Sequence, residues 1–82
     1  MPKMAQPLPN MEQFELLKYE YVELYKLLKI LNWVNSGGEA KQFIEEGKVS
    51  VNGEVETRKR KKLVIGDRVT YKEHSAAVIA RR

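Results

Sequence analysis

The chain has 82 residues, no cysteine and a formal charge of +4, so it makes one small domain whose core rests on apolar packing, without disulfides or thiolate metal sites. No apolar run approaches the roughly 18 residues of a membrane span, and the amino terminus lacks the apolar stretch of a secretion signal, which leads to the expectation of a cytoplasmic protein. Residues 1–35 carry four Lys and four Glu, whereas residues 36–82 carry eleven basic and seven acidic residues, which places the expected partner surface in the second half.

Residues 1–10 contain Pro2, Pro7 and Pro9 with little to bury and read as a flexible tail ahead of a single domain over residues 11–82. The next stretch is ambiguous. Phe14, Leu17, Tyr21 and Leu24 would extend a helical stripe back towards an Asn10 cap, but Phe14 and Leu16 also alternate as in a short strand. From Tyr21 to Leu31 the ambiguity ends, because Leu24, Leu27, Leu28 and Leu31 fall at i, i+3, i+4 and i+7, the spacing of one helix face.

Asn35, Ser36, Gly37 and Gly38 break the chain. Ser36 with Glu39 three residues later then predicts a capped second helix that buries Ala40, Phe43 and Ile44 and stops at Gly47, where a left-handed residue is wanted. After Gly47 the period becomes two: Val49 and Val51 face inward, and Asn52-Gly53 before Val55 predicts a hairpin whose central residues take positive φ. Leu63, Val64 and Ile65 lead into a turn at Gly66 and Asp67, Val69 and Tyr71 mark a further strand, and Val78 and Ile79 a last one beyond a turn near residues 73–75.

Between the hairpin and Leu63 lies the run Arg58, Lys59, Arg60, Lys61 and Lys62, without which the charge would be 4 − 5 = −1. Such a run is either a solvated edge or a seat for an anionic partner. If it is extended, Arg58, Arg60 and Lys62 share one side, so that not all five can touch one partner.

Leu27, Leu28, Ser36, Ala40, Ile44, Gly47, Val49, Val51, Asn52, Gly53, Gly66, Asp67 and Val69, in this order and spacing, resemble the RNA-binding domain first described in ribosomal protein S4, the alpha-L motif. The resemblance covers residues 21–72, and the segments 36–41 and 51–58 are similar to small stand-alone bacterial members of that family. It implies an α+β fold, a two-helix unit with a helix-turn-helix connection packed on a small, mainly antiparallel sheet, with an extended segment ahead of the first helix, which tips residues 14–18 towards a strand. It further implies binding to structured RNA. Ribosomal RNA or a ribosome assembly intermediate is the expected target, and the default expectation is a monomer without cofactor, metal or small-molecule substrate.

The residues support this independently of the family. Folded RNA is recognised largely through backbone shape and phosphate position; Arg58 and Arg60 offer planar bidentate donors to phosphate, and Lys59, Lys61 and Lys62 act as point charges. The start of the second helix, with Gly37 and Gly38 allowing close approach, offers backbone donors to a second phosphate, with Lys41 one turn on and Lys48 opening the next strand. Family members often carry an arginine where Gly37 stands, so a backbone contact is expected there, and Ser36 is first a helix cap and a contact second. Tyr25 and Trp33 read as core or rim packing rather than stacking platforms, and the lone His74 as a turn residue at the surface. No nucleophile has a nearby base, and no phosphate-binding glycine loop or zinc spacing occurs, which argues against an enzyme. The competing reading is a protein-interaction adaptor that sets the cationic run against an acidic partner.

Overall fold

A computed structural model describes residues 11–81; the proposed tail over residues 1–10 lies outside the described residues. The elements run β1 (Met11–Leu16), β2 (Val22–Glu23), α1 (Leu24–Ile30), α2 (Gly37–Glu45), β3 (Val49–Val51), β4 (Glu54–Val55), β5 (Lys62–Leu63), β6 (Arg68–Tyr71) and β7 (His74–Ala80). Five strands form one sheet in the order β1-β7-β6-β3-β4, and β2 pairs with β5 in a separate two-stranded ribbon. Every pairing is antiparallel except β1 with β7, which run parallel with Phe14 opposite Val78.

The alternation of β3 and β6 puts Val49, Val51, Val69 and Tyr71 on one face, with Val49 opposite Tyr71 and Val51 opposite Val69. Against that face pack Leu24, Leu27 and Leu28 of α1 and Ala40 and Ile44 of α2, each with no solvent exposure. This is the expected two-helix unit on a mainly antiparallel sheet. Phe43 lies on the margin, packed against the core but only partly buried, and Trp33 is buried as core packing.

Both helices end in the same way. In α1 the Trp33 N–H donates to the Leu28 carbonyl at 3.1 Å and the Asn32 N–H to the Lys29 carbonyl at 3.0 Å; in α2 Lys48 donates to Phe43 at 3.1 Å and Gly47 to Ile44 at 3.0 Å. These paired closures satisfy the last carbonyls and need a left-handed residue at the pivot. Gly47 provides it as expected, at φ 78°, whereas the first pivot is Asn32 at φ 62°, a role the glycine-centred break at 36–38 concealed. The Asn52-Gly53 turn has φ of 54° and 87°, as its hairpin requires.

The first helix is shorter than its apolar stripe. Val22 and Glu23 are not helical because they pair with Leu63 and Lys62 of β5, and the stripe survives because α1 begins at once afterwards. His74 is not a turn residue: it opens β7, half-buried, its ring stacked on Trp33 at 5.2 Å and near Tyr71 at 6.5 Å. The turn that precedes it sits at Lys72 and Glu73, closed by the Tyr71–His74 pair.

Candidate nucleic-acid interface

The basic run is held as a turn by the helix beside it. The free N–H groups at the start of a helix need acceptors, and in α1 the N–H of Leu24 donates to the Lys61 carbonyl at 2.9 Å and that of Tyr25 to the Lys59 carbonyl at 3.1 Å. Within the run the Lys61 N–H donates to the Arg58 carbonyl at 3.3 Å. The chain therefore bends over residues 58–61 and becomes a strand only at Lys62. The extended arrangement, with Arg58, Arg60 and Lys62 alternating to one side, does not occur. Four of the five cations, Arg58, Arg60, Lys61 and Lys62, instead line one open cavity of about 430 Å³.

The fifth is turned away, since the Lys59 ammonium lies 2.7 Å from the Glu45 carboxylate and ties the turn to the end of α2. Arg58 is also engaged. Its Nε and Nη2 donate to the two oxygens of Glu56 at 2.8 and 3.1 Å, and its backbone N–H donates to the same carboxylate at 3.1 Å. The Glu56 side chain is only 13% exposed and the Arg58 side chain 71%, so the carboxylate is the fixed half of the pair. No carboxylate of the described residues lies within ion-pair distance of Arg60, Lys61, Lys62 or Lys41.

Tyr25 gathers several of these charges. Lys41 Nζ stands 4.6 Å from its ring centre, Arg60 Cζ 5.8 Å and Lys26 Nζ 5.9 Å, within the range at which a ring face attracts a cation. A side chain at Gly37 would meet the same ring at 3.8 Å. The half-buried Tyr25 is thus rim packing, as read from the sequence, and also the post that sets cations from α1, α2 and the basic turn side by side. Lys26 was missed altogether, because its neighbours on the surface come from distant segments and no spacing rule links them.

At the start of α2, Ser36 caps the helix, its Oγ accepting from the Glu39 N–H at 3.1 Å. The return bond from the Glu39 carboxylate reaches one residue further, to the Asn35 N–H at 2.7 Å. The N–H groups of Gly37 and Gly38 have no acceptor among the described residues, and neither glycine takes a positive φ. Lys48 stands apart from the cluster, paired with Glu46 at 3.1 Å and lying over Phe43 at 5.1 Å.

The hairpin beside this surface is braced by Asn52, whose Nδ2 donates to Asp67 at 3.0 Å and whose Oδ1 accepts from the Arg68 N–H at 2.9 Å. Asp67 also accepts from the Val64 N–H at 2.9 Å. Asn52 is therefore turn chemistry and a clamp between two turns, which fixes both ends of the segment that carries the run.

The Arg58 hydrogen bond holds the Glu56 carboxyl below the usual carboxylate range, and hydrogen bonds from Lys48 and then Gln42 do the same for Glu46. A carboxylate whose folded pKa is depressed stabilises the fold above its unfolded pKa, and that contribution is lost as pH falls through the folded value. Urea midpoints measured from neutral pH to below about pH 4 should therefore fall on the acid side, and by less in Glu56→Gln. The difference should be small, because Arg58 is solvated.

The two helices joined by a short loop on a mixed, mainly antiparallel sheet, with a hairpin following α2, form the alpha-L motif. The S4 domain family model matches residues 14–79, and the chain belongs to that family. It is 50% identical over 70 residues to YbcJ of Escherichia coli, a candidate RNA-binding protein, a match covering 85% of this chain and 100% of YbcJ. It is also 42% identical over 48 residues to RlbA of Bacillus subtilis, a candidate ribosome maturation protein, covering 58% of this chain and 68% of RlbA. The solution structure of YbcJ, described as having an alpha-L motif involved in RNA binding, matches with a TM-score of 0.68 at 47% identity over 96% of this chain and 100% of that one.

Proposed function

We propose that this protein is a non-catalytic RNA-binding module that docks on structured RNA, specifically ribosomal RNA or a ribosome assembly intermediate, as a cytoplasmic monomer. The observation that carries the reading is the basic turn: four cations on one open cavity, braced against the start of α1, beside the Tyr25 cluster. A rigid, closely spaced set of donors suits a folded RNA, whose deep major groove hides its bases and whose phosphates are fixed in space. Arg60, Lys61, Lys62 and Lys41 take phosphates directly. Arg58 joins them by sharing its guanidinium with Glu56, and the free amides of Gly37 and Gly38 supply backbone donors, with Ser36, Lys48 and Lys59 at the margin. The candidate ribosome maturation role of RlbA supports the ribosomal target.

The test is a titration with a folded ribosomal RNA fragment at several salt concentrations. Binding should weaken with a log–log slope of about −3 to −4, the value for ~4 to 5 neutralised phosphates. The fragment should also compete better than heparin. A flat salt response would remove the phosphate contacts, and equal competition by any polyanion would favour an acidic protein partner for the same surface.

A further inference from the structure

A second surface adjoins the basic turn and differs from it in chemistry. Tyr19, Glu20, Tyr21, Lys62, Val64 and Ile65 line an open cavity of about 270 Å³. Tyr19 is 91% exposed and Tyr21 50%, with Val64 and Ile65 also exposed. Large apolar groups gathered on a small domain mark a contact surface rather than scattered surface residues. The backbone supports the same conclusion. Tyr19 has φ 80°, a conformation unfavourable for a bulky side chain, in a turn closed by the Glu20 N–H to the Leu17 carbonyl at 2.9 Å and the Leu17 N–H to the Glu20 carboxylate at 2.9 Å. The turn projects the ring into solvent instead of folding it onto the core.

We propose that this ledge stacks unpaired nucleobases of an RNA strand whose neighbouring phosphates lie on the basic turn. The proposal rests on the RNA-binding reading above and adds the single-stranded character of the flanking nucleotides. Lys62 joins the two surfaces, because it lines both cavities and its ammonium lies 4.9 Å from the Tyr21 ring centre. One lysine can thus hold the phosphate between a nucleotide on the turn and the next one on the ledge. The ledge itself suits a base: between the lysines that flank it, Lys62 and, over the Tyr19 ring at 5.2 Å, Lys18, its described lining is aromatic and aliphatic apart from the Glu20 carboxylate, which would repel an anion. Aromatic rings beside cations are the combination by which proteins hold single strands without reading sequence.

The experiment compares one RNA hairpin in three forms: blunt, with a short single-stranded tail, and with the same tail made abasic. The wild-type protein should bind the base-bearing tail about tenfold more tightly than the abasic one, the scale of one stacked base. Tyr21→Ala and Tyr19→Asn should lose that gain while binding the blunt hairpin as the wild type does, and Tyr21→Phe should keep it. Equal affinity of the wild type for the two tails overturns the ledge, as does a Tyr21→Ala variant that retains the gain or that loses the blunt hairpin equally. If the blunt hairpin is not bound at all, the docking reading fails separately, and the free tail, base-bearing against abasic, decides the ledge.

Discussion

Reversing Lys41 and Arg60 together to glutamate is expected to lower affinity for a folded RNA at least about a hundredfold, the loss of two charge-assisted phosphate bonds before any repulsion is counted. The two side chains come from α2 and from the basic turn, and they meet only over Tyr25, at 4.6 and 5.8 Å from its ring centre. Neither has a carboxylate partner among the described residues, so their removal breaks no ion pair of the fold. The thermal midpoint should therefore stay close to that of the wild type, and the salt slope should become shallower by about two. Reversal of Lys59 is the natural contrast. That side chain already serves Glu45 at 2.7 Å, so Lys59→Glu should disturb the anchoring of the turn as well as the charge. Electrophoretic mobility or fluorescence titration with one RNA fragment measures both variants. An unchanged affinity in the Lys41 and Arg60 double variant would remove the Tyr25 cluster from the interface.

The parts of this surface legible in the sequence are those built by neighbours along the chain. Ser36 with Glu39, Gly47, and Asn52 with Gly53 each act within a few residues, and each sits where its spacing placed it. The alternation of Val49, Val51, Val69 and Tyr71 likewise placed a buried sheet face. The hidden parts depend on distant partners. The bend of the basic run follows from the helix-start amides of Leu24 and Tyr25, which lie more than thirty residues earlier in the chain and donate to carbonyls of the run. The loss of Val22 and Glu23 from the helix follows from pairing with β5. The residue-level consequence is largest at Arg58 and Arg60, which look equivalent in the run. Glu56 engages the first, and the second stays open over Tyr25.

Leu63→Ala should produce the largest loss of stability that also acts on the candidate interface. Leu63 is wholly buried, follows Lys62 directly, and pairs with Val22 in the two-residue ribbon that closes the basic turn. Truncation of a buried leucine costs about 2–5 kcal/mol, depending on how far the cavity collapses, and a domain of this size has little stability in reserve. The local effect adds to the global one. The carbonyls of Lys59 and Lys61 that accept from α1 sit within four residues of Leu63, so a loosened anchor frees the turn to sample other shapes, and ordering it again on RNA costs conformational entropy. Urea denaturation should show the midpoint shift, and RNA titration under conditions where the variant remains folded should show weaker binding with the salt slope unchanged, because no cation has been removed. Leu63→Ile, which keeps the volume, should recover most of both losses. A Leu63→Ala variant that is destabilised but binds RNA as tightly as the wild type would show that the turn keeps its shape without this anchor, and that the α1 amides alone set it.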